Sequence, residues 1–213
     1  MRLLLVRHGQ TSWNDSGRAQ GHTDIPLDPV GMDQARRVGE ALADYPIERI
    51  ITSDLVRSRD TAKAVADATG ANLEVRIDLR ERCFGEWEGL PFTAVTQNLQ
   101  DRAATHGISA QEVRPPSGES FLDVWDRLEP LHTDLRQAEG LIAVVSHGGS
   151  LSILLAKLLK GTLDTSRAFR FANTGITELQ RRMDGLFLIT RYNDTSHLAS
   201  DRVLSGSLDG VSR

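Results

Sequence analysis

The sequence has a single cysteine, Cys83, which excludes an internal disulfide and fits a reducing compartment. It has no apolar run approaching the about 20 residues that a membrane-spanning helix needs. Met1-Arg2 leads straight into a strand pattern, so the expectation is a chain without a secretion signal. Positive charge is not in excess: 25 Lys+Arg against 29 Asp+Glu give a net charge of -4, so no global basic field points to nucleic acid or an anionic membrane. Any anion site must therefore be local. No internal repeat and no linker divides the chain. What remains is an ordinary soluble composition, 39% hydrophobic over 213 residues, enough to close a full core. The expectation is a cytoplasmic enzyme with a single α/β domain over residues 1–192 and a polar, mobile tail over 193–213.

Two stretches share one design. Leu3-Leu4-Leu5-Val6 is a short aliphatic run that stops at Arg7-His8-Gly9. That is the profile of a buried strand delivering polar side chains at its carboxyl end. The run 141–145 repeats it, ending in Ser146-His147-Gly148 before an apolar helix. Either histidine alone would read as a solvated strand terminus. In an open α/β sheet, however, ligands gather at the carboxyl ends of parallel strands, so Arg7, His8, Arg57 and His147 can converge. His8 is read as a nucleophile, and Gly148 adds a backbone N–H that no side chain obstructs.

Between these stretches the chain alternates strand and helix. Residues 12–24 read as a polar surface loop rich in donors. A helix starts at Asp28-Pro29 and stops at Tyr45-Pro46, followed by a strand over 49–52. Ser53 or Asp54 can cap the next helix, which ends at Gly70. Arg57 lies in its first turn, against the helix dipole, which favours a ligand-binding role for it. Arg59 competes for that role, and spacing alone does not separate the two.

Residues 73–79 alternate as a strand does and lead into a run with Glu81, Arg82, Glu86 and Glu88, with Phe84 and Trp87 available to shield a carboxyl and raise its pKa. A solvated amphipathic turn is the alternative. Residues 90–117 read as a lid, helical in part over 94–104, with Arg102, Arg114 and His106 as its only basic side chains. Ser120 caps a further helix, kinked at Pro130. Residues 176–180 and 186–190 form strands joined at Asp184-Gly185. His197, in the tail, is given no catalytic role.

Taken in order, Arg7-His8-Gly9 with Thr11 and Asn14, Ser53-Asp54-Leu55 with Arg57 and Thr61-Ala62, Glu81 before Phe84-Gly85-Glu86-Trp87-Glu88-Gly89, and Ser146-His147-Gly148 resemble the motifs of the histidine phosphatase superfamily, the phosphoglycerate mutase-like group. The resemblance covers residues 1 to 192. It implies a three-layer α/β/α sandwich around a six-stranded, mostly parallel sheet with one antiparallel strand. It also implies that His8 is phosphorylated, that Arg7, Arg57 and His147 complete the phosphate pocket, and that Glu81 is the proton donor. Asn14, Gln20 and the Gly148 backbone resemble additional phosphate ligands. No metal and no cofactor is implied, and a homodimer is left open.

The chemistry suits these residue types. A neutral imidazole attacks phosphorus, and two arginines with a second, protonated histidine offset the charge on the equatorial oxygens. A phosphomonoesterase for small phosphorylated metabolites is the first expectation, because the lid is short and poor in cations. A phosphoglycerate mutase is the alternative, favoured by Arg82 directly after Glu81, as is a specific phosphatase such as one for α-ribazole phosphate. Metal-dependent hydrolysis at His8 and His147 fits less well beside Arg7. A non-catalytic phosphate-binding protein fits less well because all the named positions are intact.

Overall fold

In a computed structural model, which describes residues 1–199, six strands form one sheet in the order β3-β2-β4-β1-β5-β6. They are β1 Arg2–Arg7, β2 Arg49–Thr52, β3 Asn72–Val75, β4 Leu141–Ser146, β5 Ile176–Arg181 and β6 Phe187–Asp194. Strands β1 to β4 are parallel, while β5 is antiparallel to both β1 and β6, so one strand of the six runs against the rest. The expected topology holds.

Strand alternation sorts the core into two faces. Leu3 and Leu5 of β1 with Ile142 and Val144 of β4 pack against α5 (Phe121–Arg127), α6 (Glu129–Gln137) and α7 (Gly148–Leu158). Leu4 and Val6 with Ala143 and Val145 face α2 (Pro29–Leu42) and α3 (Val56–Thr69). Helices on both faces leave only the strand ends accessible to a ligand. A third, smaller core joins Val95 and Val113 of the expected lid, residues 90–117, to Ala19, Phe84 and Trp87 outside it, and the helix of that segment, α4, spans Phe92–His106. This unit is stitched to residues 17–19 through Ala19 N to Leu90 O (2.9 Å) and Phe92 N to Gly17 O (3.0 Å).

Several boundaries differ from the sequence reading. The polar loop contains a short helix, α1 (Ser12–Asp15), closed by a capping box between Thr11 and Asn14. The alternation over 73–79 breaks at Val75, where β3 ends level with Thr52 of its partner β2, and Ile77–Leu79 turn as a 3₁₀ helix that buries Leu79. Neither Ser53 nor Asp54 is the N-cap of α3, whose N-cap position is Leu55. Ser53 Oγ accepts from Leu55 N at 3.2 Å, while Asp24 reaches from the loop to take Val56 N at 2.8 Å. Asp54 instead forms a bidentate pair with Arg80. Pro130 produces a break between α5 and α6 at Leu128, lying in the first turn of α6, where its missing N–H is harmless.

Order continues past residue 192. Asn193 Oδ1 accepts from Ala172 N at 2.8 Å, and the 3₁₀ turn Ser196–Leu198 packs on α2. The remainder of the expected tail, 200–213, lies outside the described residues. Among the described residues, no helix is long and apolar enough to cross a membrane.

Candidate active site

The two histidines meet because of register. β1 and β4 are adjacent and parallel with Arg7 opposite Ser146, so the next residues, His8 and His147, leave the sheet side by side. The bond from His8 N to Ser146 O (2.9 Å) extends the pairing one step, and the ring centroids stand 5.1 Å apart. Both imidazoles are removed from solvent, with exposures of 2% and 0%. Nδ1 of His8 lies 2.7 Å from Gly9 O, which can only accept, so that nitrogen carries the proton and Nε2 keeps its lone pair. The backbone here is tightly set: a Cβ at Gly9 would stand 2.5 Å from Gly31 O, at the start of α2.

Arg57 and Arg59 are separated by the structure. Arg59 is exposed, whereas Arg57 is 1% exposed and donates to Thr23 O (3.0 Å) and Gly21 O (2.8 Å). Those carbonyls are aimed by Glu88, whose carboxylate accepts from His22 N (2.8 Å), Thr23 N (2.8 Å), Thr23 Oγ and Phe84 N (3.1 Å). Thr61 ties the same helix to the histidine strand, taking Gly9 N at 3.0 Å and donating to Arg57 O at 2.8 Å. Arg7 donates to Phe171 O at 2.7 Å, and its guanidinium passes over Gly148, where a Cβ would come within 3.6 Å of Nε.

The electrostatics follow from burial beside cations. Desolvation pushes both histidines well below the ordinary 6.5, and Arg57 and Arg7 push each of them further. Both effects favour the neutral form of the His8 imidazole. For His147, expected to be protonated beside a phosphoryl group, burial and the two arginines pull in the opposite direction, well below its ordinary value. Both of its ring nitrogens are buried without a hydrogen-bond partner. Desolvation also lowers Arg57, to about 10, which leaves it charged at neutral pH.

Glu81 sits on the N-terminus of α7. Its Oε2 accepts from Gly149 N (2.9 Å) and its Oε1 from Ser150 N (3.2 Å) and Arg82 N (2.8 Å). A Cβ at Gly149 would stand 2.5 Å from Oε1, so this approach requires glycine. Of the two aromatic residues expected to shield a carboxyl, Trp87 packs in the core with Ala19, Val95 and Val113, and Phe84 faces the Arg82 guanidinium at 4.4 Å. Asn14 Oδ1 lies 3.4 Å from Asn173 Nδ2, which also donates to His8 O at 2.9 Å. Gln20 is buried in the loop that Arg57 grips, with Oε1 unpartnered, and Gly148 is the first residue of α7. Sequence reasoning missed Asn173. Its signal was the Asn-Thr-Gly turn before β5, a strand whose start lies beside the end of β1 because the two are antiparallel.

Paired imidazoles thus stand beside the half-buried Arg7 and the buried Arg57 at the carboxyl end of a parallel sheet. The chain belongs to the histidine phosphatase superfamily, branch 1, whose model matches residues 3–195. Among curated relatives it is 32% identical over 207 residues to "Probable phosphoglycerate mutase GpmB" of Yersinia pestis, covering 93% of this chain and 95% of that one. Among solved structures, a phosphoserine phosphatase in complex with 3-phosphoglyceric acid from Entamoeba histolytica superposes with a TM-score of 0.79 at 30% identity, over 92% of this chain and 98% of that one. The α-ribazole phosphatase from Shigella flexneri superposes with a TM-score of 0.80 at 27% identity, over 91% and 96%.

Proposed function

We propose that the protein is a metal-independent phosphomonoesterase that acts on small phosphorylated metabolites through a phosphohistidine. The observation that carries this reading is the buried His8 imidazole, its Nδ1 proton held by Gly9 O, set beside His147, Arg7 and Arg57. Nε2 of His8 attacks phosphorus while the bond to the leaving oxygen breaks, and Glu81 gives that oxygen a proton. Water, deprotonated by Glu81, then attacks the phosphohistidine, releasing phosphate and restoring the imidazole. Arg7, Arg57, Asn14, Gln20 and the Gly148 N–H bind the transferring oxygens, and His147 completes the pocket as the dianion offsets the charges that hold it neutral.

Hydrolysis rather than transfer back to the product is supported by the lid. Arg114 is committed to Asp123 (2.6 and 2.5 Å), the Arg102 guanidinium faces Trp87 at 6.0 Å, and His106 Nδ1 contacts Arg102 O at 2.8 Å. That leaves little positive charge there to retain a bisphosphorylated intermediate. One observation favours a substrate with a second anionic group, a phosphoglycerate among them, and keeps mutase chemistry as the second reading. Arg82 is buried next to Glu81 between the rings of Phe84 and Phe121 (4.4 and 4.0 Å), with Nε and Nη1 unpartnered.

A phosphometabolite panel run in EDTA, with phosphate release and isomerisation both recorded, tests the proposal. Metal-independent release of phosphate supports it. Conversion of 3-phosphoglycerate to the 2-isomer with a trace of bisphosphate, without free phosphate, selects the mutase, and no turnover of any phosphomonoester selects a binding protein.

A further inference from the structure

The backbone that carries Glu81 leaves regular structure at Leu79, and from there its carbonyls depend on side chains. Each carbonyl from Asp78 to Glu81 has such a donor. Leu79 O takes Ser146 Oγ (2.7 Å) and Arg80 O takes Ser150 Oγ (2.6 Å). The others converge on one residue, Arg127, at the end of α5. Its Nη1 donates to Asp78 O (2.7 Å) and Arg80 O (3.0 Å), and its Nη2 to Glu81 O (3.3 Å). Nε and Nη2 also form a fork on Glu119 at 2.9 and 3.0 Å. All five N–H groups of the guanidinium are thereby used. Glu119 extends the clamp by taking Cys83 N at 2.9 Å, and His22 Nε2 lies 2.9 Å from Glu81 O on the other side.

We infer that the Arg127–Glu119 pair is a positioning device for Glu81, distinct from the groups that hold phosphate. The inference rests on the reading of Glu81 as proton donor. The carboxylate is aimed by α7, but its main chain is fixed by α5, so Arg127 sets how far the acid stands from the leaving oxygen. Proton transfer needs hydrogen-bond reach, and small displacements are costly. Lysine at this position keeps the charge but cannot span two carboxylate oxygens and three carbonyls.

The test compares leaving groups, because only poor ones need the acid. In Arg127→Lys, leaving-group release in the first, single-turnover phase, before the water step that both classes share, should slow by about 30-fold or more for alkyl phosphates such as glycerol phosphate, with p-nitrophenyl phosphate within about 3-fold of the parent. Glu81→Gln should show the same selectivity, and Arg127→Lys placed on it should cause little further loss. Glu119→Gln, which preserves size, serves as the second variant should the lysine form fail to fold. Equal slowing of both substrate classes, or full additivity with Glu81→Gln, overturns the inference while leaving Glu81 as the acid. A Glu81→Gln enzyme that slows both classes equally overturns the acid role itself, and the positioning role with it.

Discussion

The His8 and His147 rings lie 5.1 Å apart because Arg7 stands opposite Ser146 in two adjacent parallel strands. A slip of one residue in that pairing would set the two imidazoles toward opposite faces of the sheet. The meeting of His8 and His147 is thus a product of register.

His8→Ala should lower phosphate release by at least about 1,000-fold and abolish covalent labelling by a phosphorylated substrate. Trapping the intermediate and locating the phosphoryl group by phosphorus NMR checks the tautomer. Attachment at Nε2 is expected, since Gly9 O holds the Nδ1 proton, and attachment at Nδ1 would contradict it.

The two histidines also predict how stability depends on pH. Burial first, then Arg57, lowers both below 6.5 in the folded protein. As pH falls through the ordinary histidine range, the unfolded chain takes up protons that the native chain refuses. Their stabilising contribution is therefore full above about pH 6.5 and is lost below it, at about 1.4 kcal/mol per pH unit for each imidazole. Denaturant midpoints measured between pH 7.5 and 5 should drop less steeply for His147→Gln than for the parent. Activity on the acid side should persist below pH 6.5, because the neutral nucleophile does.

Glu88 is expected to matter through Arg57. Replacing it with Ala strands the donors of His22, Thr23 and Phe84, a loss of about 2–3 kcal/mol in denaturant unfolding. The loop that supplies Gly21 O and Thr23 O to Arg57 then loosens. Inhibition by inorganic phosphate or vanadate should weaken in the same variant, and unchanged inhibition would dissociate Glu88 from the phosphate pocket.

Arg82 discriminates between the two functional readings. Burial lowers it only to about 10, so it remains a cation at neutral pH. Arg82→Lys loses the double stacking on Phe84 and Phe121. If Arg82 meets a second anionic group, KM for 3-phosphoglycerate should rise about 10-fold with p-nitrophenyl phosphate unchanged. Parallel changes for both substrates would assign Arg82 to holding Phe84 and Phe121 together.

What the sequence determined by itself are the features encoded within a few residues. Aliphatic runs mark β1 and β4, the Arg-His-Gly and Ser-His-Gly endings mark their polar tips, and the ordered motifs identify the family and its sheet. Tertiary structure decided what depends on neighbours remote in sequence. Arg57 was separated from Arg59 because one side of α3 is buried against the loop at Gly21 and Thr23. His147 is pulled well below its ordinary pKa because desolvation and two arginines act on it together, a sum that no local pattern carries. Glu81 rests on α7 rather than behind Trp87, and Asn173 and Arg127 enter the site region only through the antiparallel pairing of β5 and the return of α5. Hydrogen bonds and fields act over a few ångströms of space, and the chain brings together residues 34 to 165 positions apart only when it folds.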